Sequence, residues 1–237
     1  MAPLIISVEG NIGSGKSTYV EILKQNLTTI SNRPVVFLQE PVNEWSTIVD
    51  KKGESILSKF YANQEKYSFA FQMMAYISRL ALLKKTVEEN PHAIIITERC
   101  LFTDRYVFAK MLYDSNLIEE VEYAIYLRWF DTFTEQYPIN GYVYLYTKAE
   151  TAFDRVKKRS RDGESTIPID YLRQCHQYHN EWLFGNKQDI DDYINSDSTT
   201  QHATAPWLNI LLLDAEEDIE AMKKNIPLIE SFIQKKI

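Results

Sequence analysis

The sequence predicts an α/β fold in which a five-stranded parallel sheet carries helices on both faces, with residues 1–237 forming a single domain. Three observations predict it: five short apolar runs, long helix-like stretches between them, and no internal repeat or low-complexity tract. Near-continuous apolar strands are typical of a parallel sheet that is covered on both faces. Their regular alternation with helices favours one doubly wound domain.

The elements follow from these patterns in chain order. The predicted strands cover residues 4–8, 35–38, 93–97, 142–146 and 208–213. The predicted helices cover residues 16–29, 64–89, 101–113, 118–137, 149–159 and 170–184. A last helical run covers residues 216–235, and Pro227 is expected to kink or break it. Residues 185–206 are rich in Asn, Asp, Ser and Thr, which predicts a long surface loop.

Charge and cysteine content limit the partners and the compartment. The formal net charge is −7, whereas proteins that grip DNA or RNA usually carry a basic surface, so no nucleic acid polymer is expected. Two cysteines, Cys100 and Cys175, make a disulfide framework implausible and favour a reducing compartment. No signal peptide and no apolar run long enough to cross a bilayer are apparent. A cytoplasmic protein without a membrane partner is therefore expected.

The segment after the first strand matches a phosphate-binding loop. Its pattern is G-x-x-x-x-G-K-[ST] followed by threonine, and its residues are Gly10, Asn11, Ile12, Gly13, Ser14, Gly15, Lys16, Ser17 and Thr18. In such a loop, glycines turn backbone N–H groups toward phosphate, the lysine contacts phosphate oxygens, and the hydroxyl can ligate Mg²⁺. The strand before it and the helix after it disfavour a chance glycine-rich turn. The motif predicts nucleotide binding and leaves the reaction open.

Charged residues follow the second and third strands. Because the carboxyl ends of parallel strands lie at one edge of a sheet, we expect Glu40, Glu98 and Arg99 beside the phosphate-binding loop. Glu40 could be a general base for an alcohol, or a solvated loop residue. Glu98 could hold Mg²⁺ through water, with Arg99 near the acceptor hydroxyl. A structural ion pair at the strand end is the alternative for these two residues.

An arginine-rich segment follows the predicted helix at 149–159. Its pattern, R-x-x-x-R-x-R-x-x-E, comprises Arg155, Arg159, Arg161 and Glu164. A helix that runs into an arginine-bearing loop is typical of a lid that closes over phosphates and excludes water. In a chain with a phosphate-binding loop, this interpretation is favoured over a solvated run of charges.

One face of the helix at 64–89 could read a nucleobase. Gln72, Ala75 and Arg79 lie on this face, and the glutamine offers a donor and an acceptor side by side. The small alanine leaves room for a ring, which Phe71 and Phe108 could sandwich. The alternative is that Gln72 and Arg79 lie on the solvent-exposed face of an ordinary amphipathic helix.

Together the motifs resemble the deoxynucleoside kinase family, and the resemblance covers nearly the whole chain. The matching segments are E-G-N-I-G-S-G-K-S-T, E-P-V-x-x-W, F-Q-x-x-A-x-x-S-R, E-R-C-x-x-x-D-R-Y-V-F, R-x-x-x-R-x-R-x-x-E and I-P-x-x-Y-L-x-x-x-H-x-x-H-x-x-W-L. The resemblance implies a P-loop kinase fold with an arginine-bearing lid at about residues 159–167. It also implies a homodimer that uses ATP and Mg²⁺ to phosphorylate the 5′-hydroxyl of a deoxyribonucleoside in nucleoside salvage.

The resemblance further implies a role for each site residue. The reacting groups would be Glu40 as base, Arg99 on the hydroxyl, and Lys16, Arg159 and Arg161 around the transferred phosphoryl group, with Mg²⁺ at Ser17 and Glu98. The acceptor would be held by Tyr61 and Glu164 at the sugar 3′-hydroxyl, by Gln72, Phe71, Phe108 and Trp45 at the base, and by the charged pair Arg79 and Asp104. Arg155 would bind the donor nucleotide, and Glu217, Asp218 and Ile219 would lie near its base.

The charged pair bears on substrate choice. Within the family, Arg79 and Asp104 resemble the deoxycytidine and deoxyguanosine kinase branch, which favours deoxyadenosine, deoxyguanosine or deoxycytidine over thymidine. Two departures are Cys100, where the family often has serine, and the long segment 185–206. A nucleoside monophosphate kinase is one alternative. It would need a basic site for the acceptor's phosphate, whereas Glu40 beside the acceptor would repel that phosphate. A regulatory P-loop NTPase would have no acceptor pocket.

Overall fold

The computed structural model describes residues 2–159, 164, 166–185, 209–218 and 220–237. Three features of the sequence analysis fall outside these residues: Arg161 and most of the predicted lid, Ile219, and nearly all of the predicted loop at 185–206.

One mixed sheet organises the described chain. Its strands are β1 (Leu4–Glu9), β2 (Thr29–Ile30), β3 (Arg33–Leu38), β4 (Ile94–Glu98), β5 (Gly141–Tyr146) and β6 (Ile210–Asp214), in the order β2-β3-β4-β1-β5-β6. The five longer strands run parallel, and β2 pairs antiparallel with β3. The predicted α/β class is confirmed, but the predicted strand number of five is wrong because β2 was missed. Ser31 and Asn32, at φ 49° and 63°, join β2 to β3 in a tight hairpin.

The helices follow most predicted positions. They are α1 (Lys16–Asn26), α2 (Val42–Thr47), α3 (Ile56–Ala62), α4 (Gln64–Glu89), α5 (Leu101–Thr103), α6 (Lys110–Asp114), α7 (Glu120–Thr134), α8 (Ala149–Arg159), α9 (Ile169–Phe184) and α10 (Ile226–Gln234). A π-helical segment, Asp104–Ala109, lies between α5 and α6, and a 3₁₀ turn, Ala221–Asn225, precedes α10. Within the described residues, no helix combines the length and apolar character needed to span a membrane.

Several predicted helix boundaries were wrong. The helix at 16–29 ends at Asn26 because the chain turns into β2, and α2 and α3 were not predicted at all. The helix at 101–113 is interrupted by the π-helical segment, and the helix at 118–137 is shorter at both ends. Pro227 does not break a helix: it lies in the first turn of α10, where the missing N–H costs nothing.

The core lies on both faces of the sheet. Strands β1 and β5 are buried along their whole length, which explains their unbroken apolar sequences. A separate cluster, rich in aromatic side chains, lies beyond the carboxyl ends of β3 and β4 and includes Trp45, Phe60, Phe71, Phe108 and Tyr171. The functional cavity opens within this second cluster.

Candidate active site

The phosphate-binding loop adopts backbone angles that require glycine. Gly10, Gly13 and Gly15 have φ values of 147°, 83° and 91°. A Cβ atom on Gly13 would come within 2.3 Å of the carbonyl oxygen of Ala152, so α8 packs directly against the loop.

The lysine of the phosphate-binding loop is held by a hydrogen bond to the loop's own backbone. The Nζ of Lys16 donates to the carbonyl of Asn11 at 2.6 Å, and the Asn11 amide donates to the Leu172 carbonyl at 2.9 Å. Burial, reinforced by the positive charge of Arg99, lowers the pKa of Lys16 to about 7. An arriving phosphate would supply the negative charge that restores the charged ammonium.

A buried charge cluster lies at the carboxyl ends of β3 and β4. The Glu40 carboxylate accepts from Arg79 Nη2 at 2.7 Å and from Arg99 Nη1 at 2.7 and 2.9 Å. Burial by itself would raise the pKa of Glu40, but the charges of Arg99 and Arg79 outweigh it and lower the pKa to about 2. Arg99 has a left-handed backbone, φ 58°, which is rare for a non-glycine residue and common at functional sites.

Arg79 is the centre of this cluster rather than a wall of the cavity. Its Nε donates to Asp104 Oδ2 at 2.9 Å, and its Nη1 donates to the backbone carbonyl of Glu98 at 3.0 Å. Arg79 is not among the residues that line the main cavity, whereas Asp104 and Glu40 are. The predicted charged pair of Arg79 and Asp104 is present, with the Arg79 guanidinium behind the two carboxylates. Its role in recognising a base stays a prediction.

A pair of oxygen ligands lies between the phosphate-binding loop and this cluster. Ser17 Oγ donates to Glu98 Oε1 at 2.6 Å, and Glu98 is 5% exposed. Magnesium prefers oxygen ligands and usually takes only one or two from the protein, the rest coming from phosphate and water. No group of three or more His, Cys, Asp or Glu ligands occurs in the residues that the structure describes. The donor set therefore fits a metal that arrives with a phosphate.

A cavity of about 260 Å³ begins at the loop and ends among aromatic side chains. Beyond the loop, its wall includes predicted site residues from distant parts of the chain: Glu40, Trp45, Tyr61, Phe71, Gln72, Glu98, Arg99, Asp104, Phe108, Arg159 and Glu164. Residues separated by more than a hundred positions in the chain thus meet around one space.

The aromatic end of the cavity is rigidly packed. Phe71 stacks on Phe60 with ring centroids 4.6 Å apart, and Trp45 meets Phe71 edge-on at 5.6 Å. Trp45 Nε1 donates to Ser78 Oγ at 2.9 Å, which fixes its ring. Phe108 lies under the guanidinium of Arg99 at 5.0 Å. Gln72 is 2% exposed and lines the cavity.

The arginine-rich segment divides between two places. Arg159 forms an ion pair with Glu164, at the rim of the cavity. Arg155 lies away from the cavity, and its guanidinium donates to backbone carbonyls of the loop that follows β6. Glu217 and Asp218 lie in that same loop and are exposed.

Sequence reasoning missed a buried carboxylate beneath the site. Glu9 is fully buried and accepts from Ser7 Oγ at 2.5 Å and from Thr103 Oγ at 2.7 Å. Burial raises the pKa of Glu9. Thr103 Oγ also accepts the N–H of Cys100 at 3.2 Å, so Glu9 supports the turn that carries Arg99. The available signal was an acid at the end of an apolar strand, immediately before the first loop glycine.

This geometry, in which a phosphate-binding loop faces a cavity lined by charged and aromatic side chains, is that expected of a phosphotransferase. The family model for deoxynucleoside kinases matches residues 6–236, and the chain belongs to that family. The family resemblance and the phosphotransferase activity predicted from the sequence are thereby confirmed.

Individual relatives agree with this assignment. Human deoxycytidine kinase is 33% identical over 236 residues, which cover 91% of the chain and 85% of the relative. The mitochondrial deoxyguanosine kinase of Xenopus laevis is 29% identical over 235 residues, covering 91% of the chain and 82% of the relative. A probable deoxycytidine kinase of fowlpox virus is 34% identical over 185 residues, covering 77% and 73%. The chain is accordingly a nucleoside kinase, and such an enzyme requires a nucleotide phosphate donor.

Proposed function

We propose that this kinase transfers the γ-phosphoryl group of ATP to the 5′-hydroxyl of a deoxyribonucleoside that occupies the cavity. The observation that carries the proposal is the position of Glu40. Its carboxylate lines the cavity beside Lys16 and Ser17 of the phosphate-binding loop, and two arginines keep it ionised. An acceptor hydroxyl in this position would lie between a base and a phosphate site.

Catalysis rests on placement and charge more than on proton removal. A base with a pKa of about 2 is weak, and phosphoryl transfer passes through a loose transition state that needs little prior deprotonation. Glu40 would orient the hydroxyl and take its proton late. Arg99 lines the cavity beside Glu40, so its guanidinium would donate to the reacting oxygens. Lys16, Arg159 and Arg161 would neutralise the transferred group.

Ser17 and Glu98 would hold Mg²⁺, which supplies charge neutralisation between the donor phosphates. Their side-chain oxygens lie together beside the phosphate-binding loop, joined by one hydrogen bond.

The aromatic end of the cavity would bind the nucleobase and sugar. Gln72 would pair with the base edge, Phe71 and Phe108 would flank the ring, and Trp45 would close the pocket. Tyr61 and Glu164 would hold the 3′-hydroxyl. Asp104, oriented by Arg79, presents an acceptor that favours bases with an exocyclic amine. We therefore propose deoxyadenosine, deoxyguanosine or deoxycytidine ahead of thymidine.

The alternative acceptors fit the site less well. A nucleoside monophosphate would bring a second anionic group to an acceptor end lined by Glu40, Asp104 and aromatic rings. A regulatory NTPase would have no use for a second cavity, lined by Gln72 and aromatic side chains, beside the phosphate-binding loop. Both alternatives predict no labelled nucleoside monophosphate from free deoxynucleosides.

We also propose a homodimer, with the chain acting as one cytoplasmic domain and without a nucleic acid polymer or membrane as partner. Val121, Ile125 and Trp129 recur every fourth residue on α7 and are 68%, 43% and 46% exposed, next to exposed Ile77 on α4. Such an apolar stripe is expected to be covered by a second copy of the chain.

Both cysteines are buried free thiols, consistent with a reducing compartment. Sedimentation of the wild type and of Trp129→Glu would test the dimer: the wild type should be dimeric and the variant monomeric.

The deciding assay supplies γ-labelled ATP and each of the four common deoxynucleosides to the purified protein. Labelled 5′-monophosphate should form with at least one amine-bearing base and with lower efficiency from thymidine. The Lys16→Ala variant, purified identically, controls for contaminating kinases. Absence of any labelled monophosphate above that control would refute the proposed function.

A further inference from the structure

Helix α8 and the loop at 215–218, which follows β6, hold each other by reciprocal hydrogen bonds. The Glu216 carboxylate accepts from the backbone N–H of Lys148 at 2.5 Å and from Thr151 Oγ at 2.9 Å. In the opposite direction, the Arg155 guanidinium donates to the carbonyls of Ala215, Glu216 and Glu217 at 2.8, 3.2 and 2.9 Å. Neither half of this arrangement touches the acceptor cavity.

The contact suits the beginning of a helix. The first N–H groups of a helix have no partner within it, and the helix dipole favours a negative charge there. Glu216, which is 68 residues after Lys148 in the chain, provides that charge. Its carboxylate contacts Lys148, directly before α8, and Thr151, in the first turn of α8. The carboxylate therefore acts as a distant cap, and its own loop is fixed in return.

The helix is the fixed partner of the two. Ala149, Ala152 and Val156 are buried beneath α8, and the backbone at Ala152 lies against Gly13 of the phosphate-binding loop. The loop has less support: Ala215 is buried, but Glu217 and Asp218 are exposed. Loss of the Glu216 contact is accordingly expected to release the loop rather than the helix.

The sheet order places this loop on the donor side of the site. The acceptor cavity begins beyond β3 and β4, and the phosphate-binding loop follows β1, their neighbour. The donor's base must extend the other way, toward β5 and β6. With strands about 4.8 Å apart, the loop after β6 is about 10 Å from the phosphate-binding loop along the sheet edge. That distance suits the base of a nucleotide whose phosphates occupy the loop.

We propose that Glu216 is a positioning residue for the donor nucleotide: by capping α8 it holds the loop at 215–218 where the donor's base rests. The proposal rests on the donor being a nucleoside triphosphate, as in the proposed function. It separates recognition of the donor's base, which depends on Glu216, from recognition of its phosphates, which depends on the phosphate-binding loop.

The test compares two ligands in the presence of Mg²⁺ by titration calorimetry: ATP and inorganic tripolyphosphate, which lacks the base and sugar. Glu216→Ala should weaken ATP binding about tenfold, the effect of losing charge-assisted hydrogen bonds, and leave tripolyphosphate binding within about twofold. Thr151→Val, which keeps the side-chain volume, should weaken ATP about threefold, and the double variant should be no weaker than Glu216→Ala. Glu220→Gln removes an exposed charge nearby that pairs with Lys223, and should match the wild type.

Steady-state kinetics give an independent readout. In Glu216→Ala, KM for ATP should rise while KM for the nucleoside and kcat stay near wild type. Equal weakening of ATP and tripolyphosphate, or no weakening of either, would overturn the proposal. If Glu216→Ala does not fold, the same comparison of ATP and tripolyphosphate binding in Thr151→Val tests the proposal. Calorimetry needs no phosphoryl transfer, so a protein that phosphorylates no nucleoside still tests this inference separately.

Discussion

The two ends of the site are organised by different forces. The acceptor end is built on a buried cluster in which Glu40, Arg79, Arg99 and Asp104 are each no more than a tenth exposed at the side chain. The proposed donor end is the loop at 215–218, which is held to α8 through backbone carbonyls and one carboxylate. Buried charges are costly to unpair, whereas contacts near solvent are screened and replaced by water. Substitutions should therefore have larger effects at the acceptor end.

The largest expected effect is that of Glu40→Gln. Without the negative charge, two buried arginines lose their shared partner, and the acceptor hydroxyl would lose the base proposed for it. We expect kcat to fall about a thousandfold, within the range attributed to general bases, with a much smaller change in nucleoside KM. Glu44→Gln, on the exposed side of α2, is the matched control and should retain activity. Turnover within tenfold of wild type would show that the acceptor end does not depend on this charge.

The next effect concerns the pair Arg79 and Asp104. Asp104→Ala leaves a buried arginine partly unpaired and should lower the free energy of unfolding by about 3 kcal/mol in urea titrations. Adding Arg79→Met should recover part of that loss, because it removes the guanidinium that Asp104→Ala left partly unpaired, and should raise the kcat/KM of thymidine relative to deoxycytidine. Additive losses, or an unchanged preference between the bases, would separate the pair from base choice.

A smaller effect is expected beneath the acceptor end, at Thr103. Thr103→Val removes the hydroxyl that links Glu9 to the turn bearing Arg99. It should cost about 1–3 kcal/mol of unfolding free energy, since it leaves buried polar groups unsatisfied. It should also lower kcat about tenfold as Arg99 shifts, whereas Thr103→Ser should behave like wild type. A stability loss without a loss of kcat would limit Glu9 to a structural role.

The smallest effect lies between the two ends, at Lys16. Its pKa of about 7 lies well below the ordinary value of 10.5, and the negative charge of a bound phosphate should raise it again. ATP binding at pH 8 should therefore take up protons, measurable by calorimetry in buffers of different ionisation enthalpy. Lys16→Arg stays charged and should take up none on binding. No uptake by the wild type would mean that the ammonium is already charged.

The pH dependence of stability follows from the same charges. The folded-state pKa of Glu40, about 2, lies below its ordinary value of 4.5, so its pairing stabilises the fold above pH 4.5. That contribution is lost as the pH falls from 4.5 toward 2. The depressed pKa of Lys16 works in the other direction: it opposes folding most fully below about pH 7, and the cost fades as the pH rises toward 10.5.

Features carried by adjacent residues could be predicted from the sequence, and features made by distant ones could not. The boundaries of α4 and α8 match the prediction because periodic apolar positions and local hydrogen bonds determine a long helix. β2 has only two residues, too few for a pattern, and the π-helical segment at Asp104–Ala109 differs from an α-helix by one hydrogen-bond step. The family resemblance named the residues proposed for the acceptor site. The contacts of Glu9 and Glu216 became apparent only in the folded structure.

The sequence alone determined the phosphate-binding loop, the α/β class and the family, because each rests on local chemistry or on several motifs in order. Only the tertiary structure decided that Arg79 stands behind Glu40 and Asp104, which are 39 and 25 residues away from it, and that Glu216 caps a helix 68 residues earlier. The physical reason is that charge pairing and burial depend on distance in space. Chain neighbours are close in any conformation, whereas these partners meet only after the sheet has brought its strand ends together.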